Sequence, residues 1–580
     1  MLALASATSY MIKMRDGVSL HTDIDLPLGY KAGEKVACLM DRSPYGDSAI
    51  ELLAEIGLLD NHTAVRQDVR GTKQSEGLFS LWHSSASDTY DTVEWLTNQS
   101  WSNGIVYMIG ASADGLEDFS IIAEPHPAVH AQFAVFAGTS GYDMVFPGGA
   151  VREALVEGWL RSTVPNNYTA LIAETYSHEV PDNWWDILNG TKFFKDVDWP
   201  SAMWAGWYDI FLVGQVDAFN GFNSMSQVDH EHTLVIDPLG HCQAAAKYFN
   251  NTLVGRAILP LFQLLELIAK QDVTPPDLRR NAIEKLRAKY WPRDIEGFPT
   301  GPENAKNITF YVMGASSAID PGARGAPGSY WTTLETWPSF TPTRYYLASG
   351  NALTTTVPTG ASTSTSYVYD PKYPVPTIGG NNLELPCGPL DQSPLESGQR
   401  SDVLVFSSAP LQAPVAVTGK LQMELWVSSN CTDTDFTVKL TDVYPNGYSA
   451  LIQDGIVRMR WRNRAQSSVP QPMVPGTVYP VVVDLWYTSF IWAVGHRIRV
   501  DVSSSNSKRF SVNPNTGAPL SPDPNVPTLI ALNTVHYGGA ATPSAFVLPV
   551  IADPTTQLPP FAITMPHEPE PVVTVLSDIA

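Results

Sequence analysis

The sequence predicts an α/β domain with a mostly parallel sheet and a short helical insertion, followed by an all-β sandwich or jelly roll. Three observations predict it. Apolar strand-like runs alternate with helical-period segments through the first half of the chain, the pattern of a parallel sheet covered by helices. That alternation breaks between about 143 and 186, where the residues are helical and aromatic. After about 340 helical patterns stop, and Thr, Ser, Pro and Gly lead into short strands of period two, which indicates a sandwich or jelly roll.

The elements follow in order. "YMIKMRDGVSLHTDIDLP" alternates around Asp16-Gly17 and reads as a hairpin. "KVACLM" (35–40) reads as a buried strand running into "DRSPYGD", and "DTYDTVEWLTNQ" sets Tyr90, Val93 and Leu96 at helical spacing. "GIVYMI" (104–109) is a strand, "LEDFSIIAE" (116–124) a helix, and "AQFAVFAG" (131–138) a strand. The interruption holds "VREALVEGWLRS", Tyr168, Trp184 and Trp185, and suits an insertion over the sheet. "SAMWAG" (201–206), a helix near 210–225 and "HTLVID" (232–237) resume the alternation, followed by an amphipathic stretch over about 256–290 and the strand "ITFYVMG" (308–314). In the last third, "LQMELWV", "FTVKLTDVYPNG" and "RIRVDV" alternate apolar and polar residues.

Composition narrows the function classes. The chain of 580 residues carries 58 acidic against 36 basic side chains, a formal charge of -22, which disfavours nucleic acid and anionic membrane surfaces as partners. No stretch is apolar for long enough to span a bilayer. Seven Asn-x-Ser/Thr sites (Asn61, Asn98, Asn167, Asn189, Asn250, Asn307, Asn430) and an "ALASA" stretch near the start lean toward a secreted glycoprotein, with a soluble cytoplasmic protein as the alternative. No C-x-x-C pair occurs among Cys38, Cys242, Cys387 and Cys431. The pairing expected is Cys387–Cys431, since both lie in the all-β region, with Cys38 a buried thiol.

The chemistry starts at "VYMIGASADGLEDF". A nucleophile elbow needs small neighbours where a strand turns sharply into a helix. Gly110, Ala111 and Ala113 flank Ser112, although the second glycine, Gly115, comes one residue later than in G-x-S-x-G. Such a serine needs a carboxylate and a histidine later in the chain, in that order. Asp209 lies just past the strand "SAMWAG" and His241 just past "HTLVID". His241 would take the Ser112 proton, and Asp209 would orient the imidazole. For an oxyanion hole the residues offer the Ala113 amide and the Tyr45 phenol in "RSPYGD".

The chain resembles the cocaine esterase and X-Pro dipeptidyl peptidase family of α/β-hydrolases. The likeness runs through "MRDGVSL", "RSPYGD", "QDVRGTKQSEG", "QSWSNGIVYMIGASADG", "AGWYDIF", "DPLGHC", "RSDVLVFSS", "TDFTVKLTDVYPNG" and "GHRIRVDVSSSN". It implies an α/β-hydrolase domain over 1–142 and 187–340, a helical cap over 143–186 and a C-terminal jelly roll over 341–580. It also implies Ser112, Asp209 and His241 as triad, with Tyr45 and the Ala113 amide as oxyanion hole. Two departures stand out: Ala113 replaces the tyrosine usual after the nucleophile, and the cap is short.

The leading expectation is a serine hydrolase that cleaves a small-molecule acyl ester or amide through an acyl-enzyme, without metal or other cofactor. An acyltransferase, an X-Pro dipeptidyl peptidase and a jelly-roll binding protein with a vestigial triad are the alternatives, and a homodimer is left open. Phe211, Leu212, Trp159, Trp184 and Trp185 are the candidate pocket residues. Phe211 and Leu212 stand where relatives that accept α-amino acyl groups carry part of a carboxylate cluster, so an uncharged acyl group is expected. Asp114 and Glu117 are assigned to the N-terminus of the helix after Ser112, and Asp68 and Arg70 to a structural pair. "DHEH" (229–232) lacks metal spacing and reads as a solvated loop.

Overall fold

The computed structural model describes residues 7–46, 50, 61–226, 232–249, 305–523 and 525–561. The amphipathic stretch expected over about 256–290 lies outside them, as do Asn250 and most of "DHEH".

The N-terminal part holds one mixed sheet. Its strands are β1 (Thr8–Lys13), β2 (Ser19–Asp25), β3 (Val36–Ser43), β4 (Thr63–Asp68), β5 (Ser102–Ala111), β6 (Val129–Val135), β7 (Ser201–Gly206), β8 (Thr233–Asp237), β9 (Ile308–Gly314) and β10 (Tyr330–Leu334). They lie side by side as β1-β2-β4-β3-β5-β6-β7-β8-β9-β10. β3 to β9 run parallel; β1, β2 and β10 pair antiparallel at the edges. The central strands read as continuous apolar runs because helices cover both faces: β7 and β9 are buried at every residue. The helices are α1 (Ser85–Thr97), α2 (Ala113–Ser120), α3 (Gly141–Val145), α4 (Glu153–Thr163), α5 (Tyr168–Ser177) and α6 (Leu212–Met225). Between β6 and β7 the chain leaves the sheet and forms α3, α4, α5 and several single 3-10 turns. Their apolar faces make a second cluster, with Phe146, Val156, Leu160, Leu171 and Trp185 inside.

From Thr341 onward the fold is almost all β. Its longest strand, Val415–Ser429, pairs with Tyr479–Trp492, Ala531–Tyr537 and Ala545–Val550. Asp435–Val443 pairs with Ser449–Arg458 on one side and Arg497–Ser503 on the other. This is the sandwich of an α/β-hydrolase with a C-terminal all-β domain. The two parts are continuous: Phe490 and Ile491 bridge to Met313 and Gly314 of β9, and one hydrophobic core spans both. Among the described residues, no helix is long and apolar enough to cross a membrane.

Two expectations are corrected here. The disulfide joins Cys242 to Cys387, with Cα atoms 5.6 Å apart, while Cys38 and Cys431 are buried free thiols. Shared all-β character misled the pairing. The loop carrying Cys387 folds away from the sandwich and over the carboxyl end of β8, where Gly388 faces Ala245 and Cys242. Asp68 and Arg70 also part company. Arg70 donates to both oxygens of Asp88 and to Asp16, whereas Asp68 lies 3.2 Å from His21 and accepts from the Gln74 amide.

Candidate active site

Ser112 sits between β5 and α2 with φ 59° and ψ −122°, a conformation that side chains rarely adopt and that clusters at functional sites. The surrounding small residues explain how it is tolerated. A Cβ on Gly110 would lie 2.3 Å from the Asp114 carbonyl oxygen, and one on Gly115 would lie 2.6 Å from the Ala137 Cβ. The glycine is needed where the helix touches the next strand, which is why Gly115 fills the role and a buried Asp114 can precede it.

Asp209 and His241 come from the loops after β7 and β8. The Ser112 Oγ lies 2.9 Å from His241 Nε2, and His241 Nδ1 lies 2.5 Å from Asp209 Oδ2. The same Oδ2 accepts from the His241 amide at 2.9 Å, and Oδ1 accepts from the Phe211 amide at 2.7 Å. The carboxylate is therefore fixed on both oxygens, which sets the tautomer with the proton on Nδ1 and leaves Nε2 to accept from serine. Gly240, at φ +66°, lets the two loops touch; a Cβ there would come 2.4 Å from the Asp209 Cβ.

The all-β domain holds this turn from behind. Asn381 donates to the carbonyls of Trp207 and Asp209 at 3.0 and 2.9 Å, and Gln453 donates to the Trp207 carbonyl at 2.8 Å. The Tyr208 hydroxyl donates to the Leu451 carbonyl at 2.6 Å. Cys242, next to His241, is the residue tied to Cys387. Sequence reasoning missed Asn381 and Gln453; nothing local distinguishes them from other polar residues of loops and strands.

On the other side of Ser112 stands Tyr45. Its hydroxyl accepts from Trp159 Nε1 at 2.7 Å and also engages the Ser112 side chain. Burial pushes its pKa up to about 12, against a smaller lowering by the Trp159 bond, so the phenol keeps its proton at neutral pH. The Ala113 amide opens α2, where backbone N–H groups have no partner within the helix.

Beside the serine a pocket encloses about 610 Å³, its mouth included. Ala113, Trp159, Trp185 and Phe211 line it, together with Trp82, Leu116, Met144, Ile210 and, from the all-β domain, Leu383. Among the described residues, no charged side chain lines it. Two candidate pocket residues lie elsewhere. Leu212 is the first residue of α6 and points into the sheet core. Trp184 packs between His83 and His178, with ring centroids 4.2 and 4.6 Å away, and is not among the lining residues. Glu117 is not at the site either: it is fully buried beneath α2, where it accepts from Arg42 at 2.5 Å and from Ser85 at 2.8 Å.

Residues 16–170 match the X-Pro dipeptidyl-peptidase S15 family, and residues 301–544 match the X-Pro dipeptidyl-peptidase C-terminal non-catalytic domain. The chain is 28% identical to a cocaine esterase of Rhodococcus sp. (strain MB1 Bresler), over 94% of this chain and 98% of the other. Its fold is similar to a solved α-amino acid ester hydrolase (TM-score 0.73, 22% identity, 95% and 98% of the two chains). It is equally similar to an aminopeptidase from a marine sediment archaeon, Thaumarchaeota archaeon (TM-score 0.73, 22% identity, 94% and 96% covered).

Proposed function

The chain belongs to the cocaine esterase and X-Pro dipeptidyl peptidase family of α/β-hydrolases and is an ester hydrolase of the serine type, and from that premise we propose that it cleaves carboxylic esters of uncharged, apolar acyl groups through a Ser112 acyl-enzyme. The observation that carries this reading is the Ser112–His241–Asp209 chain of hydrogen bonds opening onto a pocket whose described lining residues carry no charge.

In the proposed reaction His241 Nε2 takes the Ser112 proton as Oγ attacks the acyl carbon. The imidazolium that forms is stabilised by Asp209, whose carboxylate is already held by two amides. The negative charge that develops on the carbonyl oxygen is met by the Ala113 amide and the Tyr45 hydroxyl. His241 then protonates the departing alkoxide, and water repeats the sequence on the acyl-enzyme. A substrate ammonium in the pocket would shed its hydration with no carboxylate among the described lining residues to replace it, which is costly. Glu117 cannot serve, because it is committed to Arg42.

The test compares kcat/KM for benzoyl and short alkanoyl esters with that for matched aminoacyl esters and X-Pro amides. The uncharged esters should lead, and a preference for the charged substrates would overturn the reading. Ser112→Ala should abolish labelling by a fluorophosphonate probe. Tyr45→Phe should lower kcat by roughly 10²–10³-fold, the usual loss on removing one oxyanion donor.

A further inference from the structure

Trp159 lines the pocket, and its polar atom is engaged by Tyr45. Its indole N–H meets the Tyr45 hydroxyl oxygen at 2.7 Å. An indole nitrogen can only donate, whereas a phenol oxygen has one proton to give and lone pairs to receive with. The bond therefore runs from Trp159 to Tyr45 and occupies an acceptor position. A phenolic proton prefers the plane of its ring, and a proton turned toward Trp159 would collide with the indole N–H. The hydroxyl is left to point its proton the other way, toward Ser112.

The alternative orientations matter because Asp114 and Glu384 lie close enough to act electrostatically on the Tyr45 hydroxyl. A phenol free to rotate would turn its proton in the field of these carboxylates. Trp159 cannot itself drift: its ring is stacked on Trp82 with centroids 5.2 Å apart and packs on Phe79 at 5.9 Å. The bond also polarises the hydroxyl it reaches, since a phenol that accepts a hydrogen bond becomes a stronger donor.

We propose that Trp159 is a positioning residue, whose indole N–H aims the Tyr45 hydroxyl at the oxyanion formed on the Ser112-bound substrate. The proposal rests on the oxyanion role of Tyr45 given above. No bond of the substrate is touched by Trp159, and no proton leaves its ring.

A double-mutant cycle on the full-length protein tests it, with Trp159→Phe, Tyr45→Phe and the pair, assayed on a 4-nitrophenyl ester of an uncharged acid. Rates are taken per active site from the burst of 4-nitrophenol. Trp159→Phe keeps an aromatic ring in the pocket, so kcat should fall about fivefold, the worth of one hydrogen bond, while KM stays nearly constant. In the Tyr45→Phe background the same substitution should change kcat hardly at all. Trp159→Met, which fills the space without a donor, should repeat the pattern if the Phe variant is poorly folded. An equal loss in both backgrounds would make Trp159 a packing residue and overturn the proposal while leaving Tyr45 its role. An unchanged kcat in Trp159→Phe would do the same. An unchanged kcat in Tyr45→Phe would remove the oxyanion reading, and this inference with it.

Discussion

Residue identity governs the site most sharply at Ala113 and Gly240. Ala113 follows the nucleophile and lines the pocket. Ala113→Tyr should place a ring in that space, so kcat/KM for benzoyl or longer esters should drop much further than kcat/KM for acetyl esters. A uniform change across the series would show that the side chain at 113 does not set pocket size. Gly240 is constrained twice, by its positive φ and by the Asp209 side chain against it. Gly240→Ala must push the two loops apart, and displacing a catalytic group by about 1 Å can cost roughly 10²-fold in rate; a kcat within twofold of the parent would contradict the proposed triad. Ser112, Asp209 and His241 could be read in the sequence as a candidate triad because the chemistry fixes their order and each lies just past the end of a strand. Leu383 and Asn381 could not. They reach the site from a loop some 140 residues beyond His241, and no periodicity or motif announces such a return.

Elements explain which buried charges are tolerated. α2 carries Glu117 and Asp118 on its inner face, and both are fully buried. Glu117 has Arg42. Asp118 has the Asp41 carboxylate nearby and the Gln132 amide, and burial with that like charge raises its pKa well above the usual aspartate range. The native state therefore holds this proton more tightly than the unfolded chain. Its contribution to stability is complete below the ordinary aspartate pKa and is lost as pH rises toward the native value. Asp118→Asn removes the titration. The variant should lose less stability than the parent between pH 5 and pH 8.5 in urea unfolding, and parallel pH profiles would refute the assignment. The elements themselves were largely legible. "SAMWAG" and "ITFYVMG" coincide with β7 and β9 residue for residue, because a strand buried on both faces is a continuous, mostly apolar run with no exposed position in it. The helix after Ser112 begins three residues earlier than its apolar spacing indicates, since its first turn is set by the elbow and not by the period of its side chains.

At the scale of the whole molecule, the all-β domain is part of the site's scaffold. It supplies Leu383 to the pocket and the Asn381 and Gln453 amides to the turn before Asp209. Asn381→Ala takes the Asn381 donor from the Asp209 carbonyl and leaves the Trp207 carbonyl to Gln453, so it should cost about 1–3 kcal/mol in denaturant unfolding and lower kcat while KM moves little. Loss of stability without any effect on kcat would confine Asn381 to packing. Reduction of Cys242–Cys387 should have a related effect. Dithiothreitol should lower both the melting temperature and kcat, and unchanged turnover in a sample with four titratable thiols would deny the bond any part in holding His241. An exported chain would meet the oxidising conditions in which that bond persists. Order of synthesis then acquires a meaning. A growing chain emerges N-terminus first and its domains fold as units, so Ser112, Asp209 and His241 are all outside the ribosome well before Asn381, Cys387 and Gln453 exist. A nascent chain would carry the proposed triad before the contacts that hold its loops can form. In the proposed enzyme, hydrolytic competence would therefore await the segment that carries Asn381, Cys387 and Gln453.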